Sequence, residues 1–120
     1  MIVRHRLVVA LFGLLALTAA ACGSSSASPA EQEPVTVTEG PAEVSLEDSA
    51  FTPANLRAPA GTTVTWTWND GSTMHNVVGD GFESPVQEQG AFEHRFDDPG
   101  TYTYECTLHR RMDGIVEVTE

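Results

Sequence analysis

Lysine is missing from this 120-residue chain, whose six cationic residues are all arginines. Arg4 and Arg6 precede position 22, whereas all 17 carboxylates follow it. From Cys22 onward, four arginines (Arg57, Arg95, Arg110, Arg111) stand against 17 acids, a formal charge of −13. A field of that sign excludes nucleic acid as a partner of the general surface. Cysteine is scarce too. Cys22 and Cys106 are the only two, so no disulfide framework is available. Helical periodicity is absent after the N-terminal segment. The one long apolar run, Leu7 to Ala21, has 15 residues, short of the roughly 20 that span a bilayer. Setting the N-terminal stretches aside leaves roughly 80 residues, enough for one small domain and too few for a Rossmann fold or a barrel enzyme.

What the N-terminus does hold reads as an export signal over residues 1–21. Arg4-His5-Arg6 is its basic region, the Leu7–Ala21 run its apolar core, and Thr18-Ala19-Ala20-Ala21 a small-residue approach to cleavage. A cysteine directly after three alanines and before Gly23-Ser24-Ser25-Ser26 resembles the lipobox of bacterial lipoproteins, although Ala19 stands where leucine is commoner. That resemblance implies lipidation of Cys22 and anchoring to the membrane surface, outside the cytoplasm, without spanning it. Cleavage near Ala21 and free secretion is the alternative. Residues 22–42 are then expected to be a Ser/Pro/acidic tether, and residues 43–120 the domain. With Cys22 lipidated, Cys106 is a lone thiol in an oxidising compartment, a liability unless something uses it.

The remainder reads as strands. Val35–Val37, Val44–Leu46, Thr62–Trp68, Phe92–Phe96, Thr101–Tyr104 and Ile115–Val118 alternate with period two. In the clearest run Val64, Trp66 and Trp68 share one face and threonines the other. Turn signals separate the runs: Pro59-Ala60-Gly61, Asn69-Asp70-Gly71, Gly79-Asp80-Gly81, Asp98-Pro99-Gly100 and Asp113-Gly114. The pattern predicts an all-β sandwich with no helix of useful length. Trp66, Trp68, Tyr102 and Tyr104 read as core or near-core. Asp80–Gly90 reads as featureless.

Chemistry collects near the C-terminus. Cys106, His109 and Met112 follow a Cys-x2-His-x2-Met spacing between the last two strands, and His75 stands after the tryptophan strand and its turn. Thiolate, thioether and two imidazoles form a soft donor set that matches a type 1 copper site, trigonal His2Cys with a weak axial Met. Cys106 alone reads as a buried inert thiol and Met112 alone as core; their shared loop promotes both to ligands. Met74 packs or faces solvent on this reading. His94, between Phe92 and Phe96, is a core or rim histidine, and His5 leaves with the signal.

On these residues the chain from about Phe51 to Glu117 resembles the cupredoxins, the small blue copper proteins of the plastocyanin and amicyanin kind. The shared stretches are Gly61-Thr-Thr-Val-Thr-Trp66, His75-Asn76-Val77 and Gly100-Thr-Tyr-Thr-Tyr-Glu-Cys106, with the tail Cys106-Thr-Leu-His109-Arg-Arg-Met112-Asp-Gly-Ile-Val-Glu-Val118. The two-residue gaps of the ligand loop are amicyanin-like. Leu108 and Arg110 replace the prolines that flank the loop histidine in amicyanins.

The resemblance implies a Greek-key β-sandwich holding one copper ion through His75, Cys106, His109 and Met112. It implies that Asn76 ties the two ligand loops together, its N–H reaching the Cys106 sulfur. It also makes His109 an electron port, with Leu108 part of an apolar patch around it. Arg110 and Arg111, beside that port, are expected to dock a partner.

The expected function is single-electron transfer between membrane-associated redox proteins, as a monomer and not as an enzyme. Copper binding and delivery is the alternative, with Met74 and Met112 sharing a mobile Cu(I). An interaction sandwich with a vestigial site is the third reading.

Overall fold

The computed structural model describes residues 33–120 of the chain. The export signal, Cys22 and the first part of the tether lie outside the described residues. Ten strands make up the fold, with no helix among the described residues. They are β1 (Val35–Val37), β2 (Ala42–Glu47), β3 (Ala50–Thr52), β4 (Asn55–Pro59) and β5 (Thr62–Trp68), then β6 (Val78–Gly79), β7 (Phe82–Glu83), β8 (Gly90–Phe96), β9 (Gly100–Glu105) and β10 (Asp113–Thr119). Two sheets face each other, one ordered β1-β4-β10-β9-β6-β7 and the other β3-β2-β5-β8. This is the expected β-sandwich.

Alternation in β5 sets the core. Thr62, Val64, Trp66 and Trp68 are buried, and Thr63, Thr65 and Thr67 lie on the outer face. β5 is the centre of its sheet, parallel to β2 and antiparallel to β8, so its inner face meets the other sheet on both flanks. Leu56 of β4, Tyr104 of β9 and Val116 and Val118 of β10 complete the interior. Trp66 is its hub, with Phe82 stacked at 5.7 Å, Tyr104 edge-on at 5.3 Å and Phe96 edge-on at 6.4 Å. Burying each large apolar side chain contributes about 1.5–3 kcal/mol, so truncating this hub removes several such terms together. The indole Nε1 of Trp66 is buried without a hydrogen-bond partner among the described residues.

Several expectations need correction. Val35–Val37 is the strand its alternation predicted, paired in parallel with β4, and β2 opens at Ala42, so both the strand and the first residue of β2 lie within the stretch read as tether. Asp80–Gly90 is not featureless: Phe82 is buried against Trp66, and Ser84 Oγ accepts the Val77 N–H at 2.8 Å. Asp113-Gly114 is not a turn but the start of β10, pairing with Glu105 and Tyr104. Glycine is needed there because the Tyr104 ring covers it. A Cβ on Gly114 would sit 2.5 Å from the Ala54 carbonyl oxygen and from the Tyr104 hydroxyl.

Candidate metal centre

Two strand ends bring the four predicted ligands to one end of the sandwich. Past β5 the chain turns through Asn69-Asp70-Gly71, with Gly71 at φ 60°, and then runs extended through His75. Its backbone is clamped there. His75 N–H donates to Gln87 O and Gln87 N–H to His75 O, both at 3.0 Å, while the Trp68 indole donates to His75 O at 3.1 Å. Cys106 follows directly on β9, and its N–H donates to Met112 O at 2.9 Å, closing the ligand loop against β10. Cys106 and Met112 are buried, His75 fully so, and His109 is half-buried.

The side chains converge. Cys106 Sγ lies 3.5 Å from His109 Nδ1 and 3.8 Å from His75 Nδ1, and the ligand atoms of all three residues lie within 4.8 Å of one another. The donor geometry can be tested for fit. Nitrogen at about 2.0 Å and thiolate sulfur at about 2.3 Å from one ion, 120° apart, stand about 3.7 Å from each other. The two sulfur–nitrogen separations bracket that value. The imidazole rings are 4.7 Å apart at 51°, with each Nδ1 turned to the sulfur. Soft sulfur and imidazole donors in this arrangement suit copper.

Around the ligands, Asn76 spans the two loops. Its Oδ1 accepts the Thr107 N–H at 2.8 Å, and its Nδ2 donates to Thr107 Oγ1 at 2.9 Å. The tying role implied for Asn76 therefore runs through its carboxamide; an N–H bond to the Cys106 sulfur is absent among the described residues. Sequence reasoning missed Asp70, whose Oδ2 lies 2.8 Å from His75 Nε2 and accepts the Ser49 N–H at 3.0 Å. The Ser49 N–H, and after it the His75 ring, hold the Asp70 carboxyl below the usual carboxylate range. Asn-Asp-Gly signals a turn and says nothing of where its carboxylate points.

The other predicted residues divide by exposure. Leu108 is 45% and Met74 41% exposed, while Met112 is 1% exposed. Arg110 and Arg111 are exposed and form no ion pair among the described residues. His94 is half-buried, stacked on Phe82 at 4.6 Å and edge-on to Phe96 at 4.8 Å. It stays apart from the ligand group, as expected.

Comparisons with known proteins agree with this geometry. The chain is 48% identical over 68 residues to halocyanin of Natronomonas pharaonis, covering 51% of this chain and 42% of that protein. The chain thus spans less than half the length of that relative. It is 35% identical over 113 residues to amicyanin-alpha of Methylorubrum extorquens, covering 88% of this chain and 92% of that one. Among solved structures, a purple cupredoxin from Nitrosopumilus maritimus superposes with a TM-score of 0.58 at 35% identity, over 65% of this chain and 99% of that one. The model of the cupredoxin-like domain matches residues 10–118. With its two-sheet sandwich and its convergent His2Cys donors, this chain belongs to the cupredoxin-like family, whose members bind one copper ion.

Proposed function

We propose that the protein is a type 1 copper electron carrier that shuttles single electrons between membrane-associated redox partners outside the cytoplasm. The observation that carries the reading is the convergence of one ligand atom each from His75, Cys106 and His109 within 4.8 Å at the end of the sandwich, with Cys106 Sγ 3.5 Å from His109 Nδ1 and 3.8 Å from His75 Nδ1. In this reading His75, Cys106 and His109 would be the strong ligands of the copper ion and Met112, buried beside them, a weaker thioether ligand. When bound, copper supplies the one-electron Cu(I)/Cu(II) couple. The protein's part is to hold its donors nearly fixed. His75 is clamped through its backbone and ring, and the Asn76–Thr107 tie joins the loop of His75 to that of Cys106 and His109. Such anchoring would keep the donor positions similar whether the bound copper were Cu(I) or Cu(II). The half-buried His109 ring runs from the sulfur to the surface, and exposed Leu108, Arg110 and Arg111 surround it as the docking face.

Four donors would fill the coordination set and leave no position for a substrate, which favours a carrier over an enzyme. Copper delivery is the weaker reading. Met74, which would share a mobile Cu(I) with Met112, is exposed while Met112 is buried. Lipidation at Cys22 would supply the membrane attachment, and the domain would work as a monomer.

Copper titration with a visible spectrum tests the reading. The wild type is expected to show an intense thiolate-to-copper band at one equivalent. Cys106→Ser is expected to stay folded and show none. A band retained in Cys106→Ser would remove the site assignment, and a colourless copper-loaded wild type would favour delivery.

A further inference from the structure

The two histidines of the centre are not equivalent. His75 Nε2 lies 2.8 Å from Asp70 Oδ2, whereas His109 Nε2 has no hydrogen-bond partner among the described residues. Asp70 is itself held from a second direction. Its Oδ2 also accepts the Ser49 N–H at 3.0 Å, from the tip of the β2–β3 hairpin. That tip is Asp48-Ser49, enclosed by the Glu47–Ala50 pair and left-handed at both residues, with φ of 50° and 55°. Two-residue hairpins of this kind need positive φ at both central positions, and here the turn delivers the Ser49 N–H to the carboxylate. The His75 ring is 0% and the Asp70 side chain 19% exposed, so little water competes for the bond.

A carboxylate only accepts hydrogen bonds, so His75 Nε2 donates, and in the neutral ring the lone pair is left on Nδ1. Nδ1 is the nitrogen that faces Cys106 Sγ at 3.8 Å. Resting on the copper-site reading above, we propose that Asp70 is a positioning residue of the centre. It fixes His75 in the tautomer that ligates through Nδ1, and its negative charge favours Cu(II) over Cu(I). Outer partners of this kind orient a ligand and raise its basicity, and losing them typically costs about 10–100-fold in metal affinity.

Copper affinity and reduction potential of Asp70→Asn and Asp70→Ala test this against a purely structural role. Asn keeps an acceptor oxygen for both N–H groups and removes the charge. It is expected to keep the thiolate band and to lower the Cu(II)/Cu(I) affinity ratio about tenfold, a rise of about 59 mV for a one-electron couple. Asp70→Ala is expected to lose about 10–100-fold in copper affinity. Potentials and affinities equal to wild type in both variants, with only stability lowered, would overturn the inference and leave Asp70 a hairpin cap. Should the variants not fold, 15N NMR of the metal-free wild type at neutral pH decides. His75 is expected as the Nε2–H tautomer with that proton protected from exchange, and the Nδ1–H tautomer overturns the inference. A normal band with unshifted potentials defeats this inference alone. A copper-loaded wild type without a thiolate band defeats the electron-carrier reading and this inference with it.

Discussion

Asn76 and Thr107, 31 positions apart in sequence, hold each other through three hydrogen bonds, Thr107 N–H and, more weakly, Thr107 Oγ1–H to Asn76 Oδ1, and Asn76 Nδ2 to Thr107 Oγ1. Each residue follows a ligand directly, so this pair sets the distance between the His75 and Cys106 loops. Asn76→Ala leaves the Thr107 N–H without its acceptor in a part-buried place, a loss of about 1–3 kcal/mol. Asn76→Asp keeps that acceptor and gives up only the Nδ2 donor, so it should fall between alanine and wild type. Urea denaturation of the metal-free proteins checks the order. Equal stability of all three would mean that the loops are held together by something other than this pair.

Gly114 is where β10 passes beneath Tyr104, whose hydroxyl donates to Ala54 O at 3.1 Å while Ile115 N–H donates to the same oxygen at 2.9 Å. A methyl group there would meet ring, hydroxyl and carbonyl together, backbone included, so the neighbours cannot simply rotate away. Gly114→Ala is expected to cost about 1–3 kcal/mol by overpacking. Gly40→Ala is the control, since nothing lies within 4 Å of its Cβ and loop changes away from packed features usually stay within about 0.5 kcal/mol. Thermal melts showing the two variants alike would refute the packing argument.

How much of this was legible beforehand depended on side-chain period and length. β5, β8, β9 and β10 carry runs of four or more alternating residues, and the sequence pattern located them. β4 alternates too, but Pro53 precedes it, Pro59 ends it and one of its two buried positions is only Ala58. β6 and β7 are two residues each, stable only because β6 pairs with β9 and Phe82 packs on Trp66. The ligand loop was readable because Cys106, His109 and Met112 are close in sequence. Asp70 was not, since its bonds to His75 and Ser49 exist only once the hairpin and the turn are folded.

His94 should impose its own pH dependence on stability. Its ring stacks on Phe82 and meets Phe96 edge-on, and burial disfavours the charged form, lowering its pKa from the ordinary 6.5, partly opposed by Asp97. The folded state then binds the proton less readily than the unfolded chain. The stability from the neutral ring is present above the unfolded value of about 6.5 and is lost as pH falls through it toward the folded value. Metal-free wild type should therefore lose more stability between pH 7.5 and 5.5 than His94→Phe does, by urea denaturation. Parallel pH profiles would show that this ring titrates as if in water.

Arg110 and Arg111 hold half of the four positive charges that follow Cys22, and both directly follow His109 in sequence. Their simplest role would be to neutralise nearby acids, Glu105 and Asp113 among them. The structure pairs them with neither; its arginine ion pairs among the described residues are Arg57–Glu117 and Arg95–Asp97. Arg111 also adopts φ 62°, in the left-handed region that non-glycine residues seldom occupy. Two cations without an ion pair among the described residues, beside the proposed electron port and on a chain otherwise dominated by carboxylates, suit an acidic patch on a partner. Steering of that kind acts on the association rate and weakens as salt screens it, with a Debye length of about 10 Å at 0.1 M. Reversing both to Glu should slow electron transfer with a physiological partner about 10-fold or more at low ionic strength, leaving the copper spectrum unchanged. The gap should close as salt is added. Equal rates at low salt, or a deficit that persists undiminished in high salt, would make the two arginines ordinary surface.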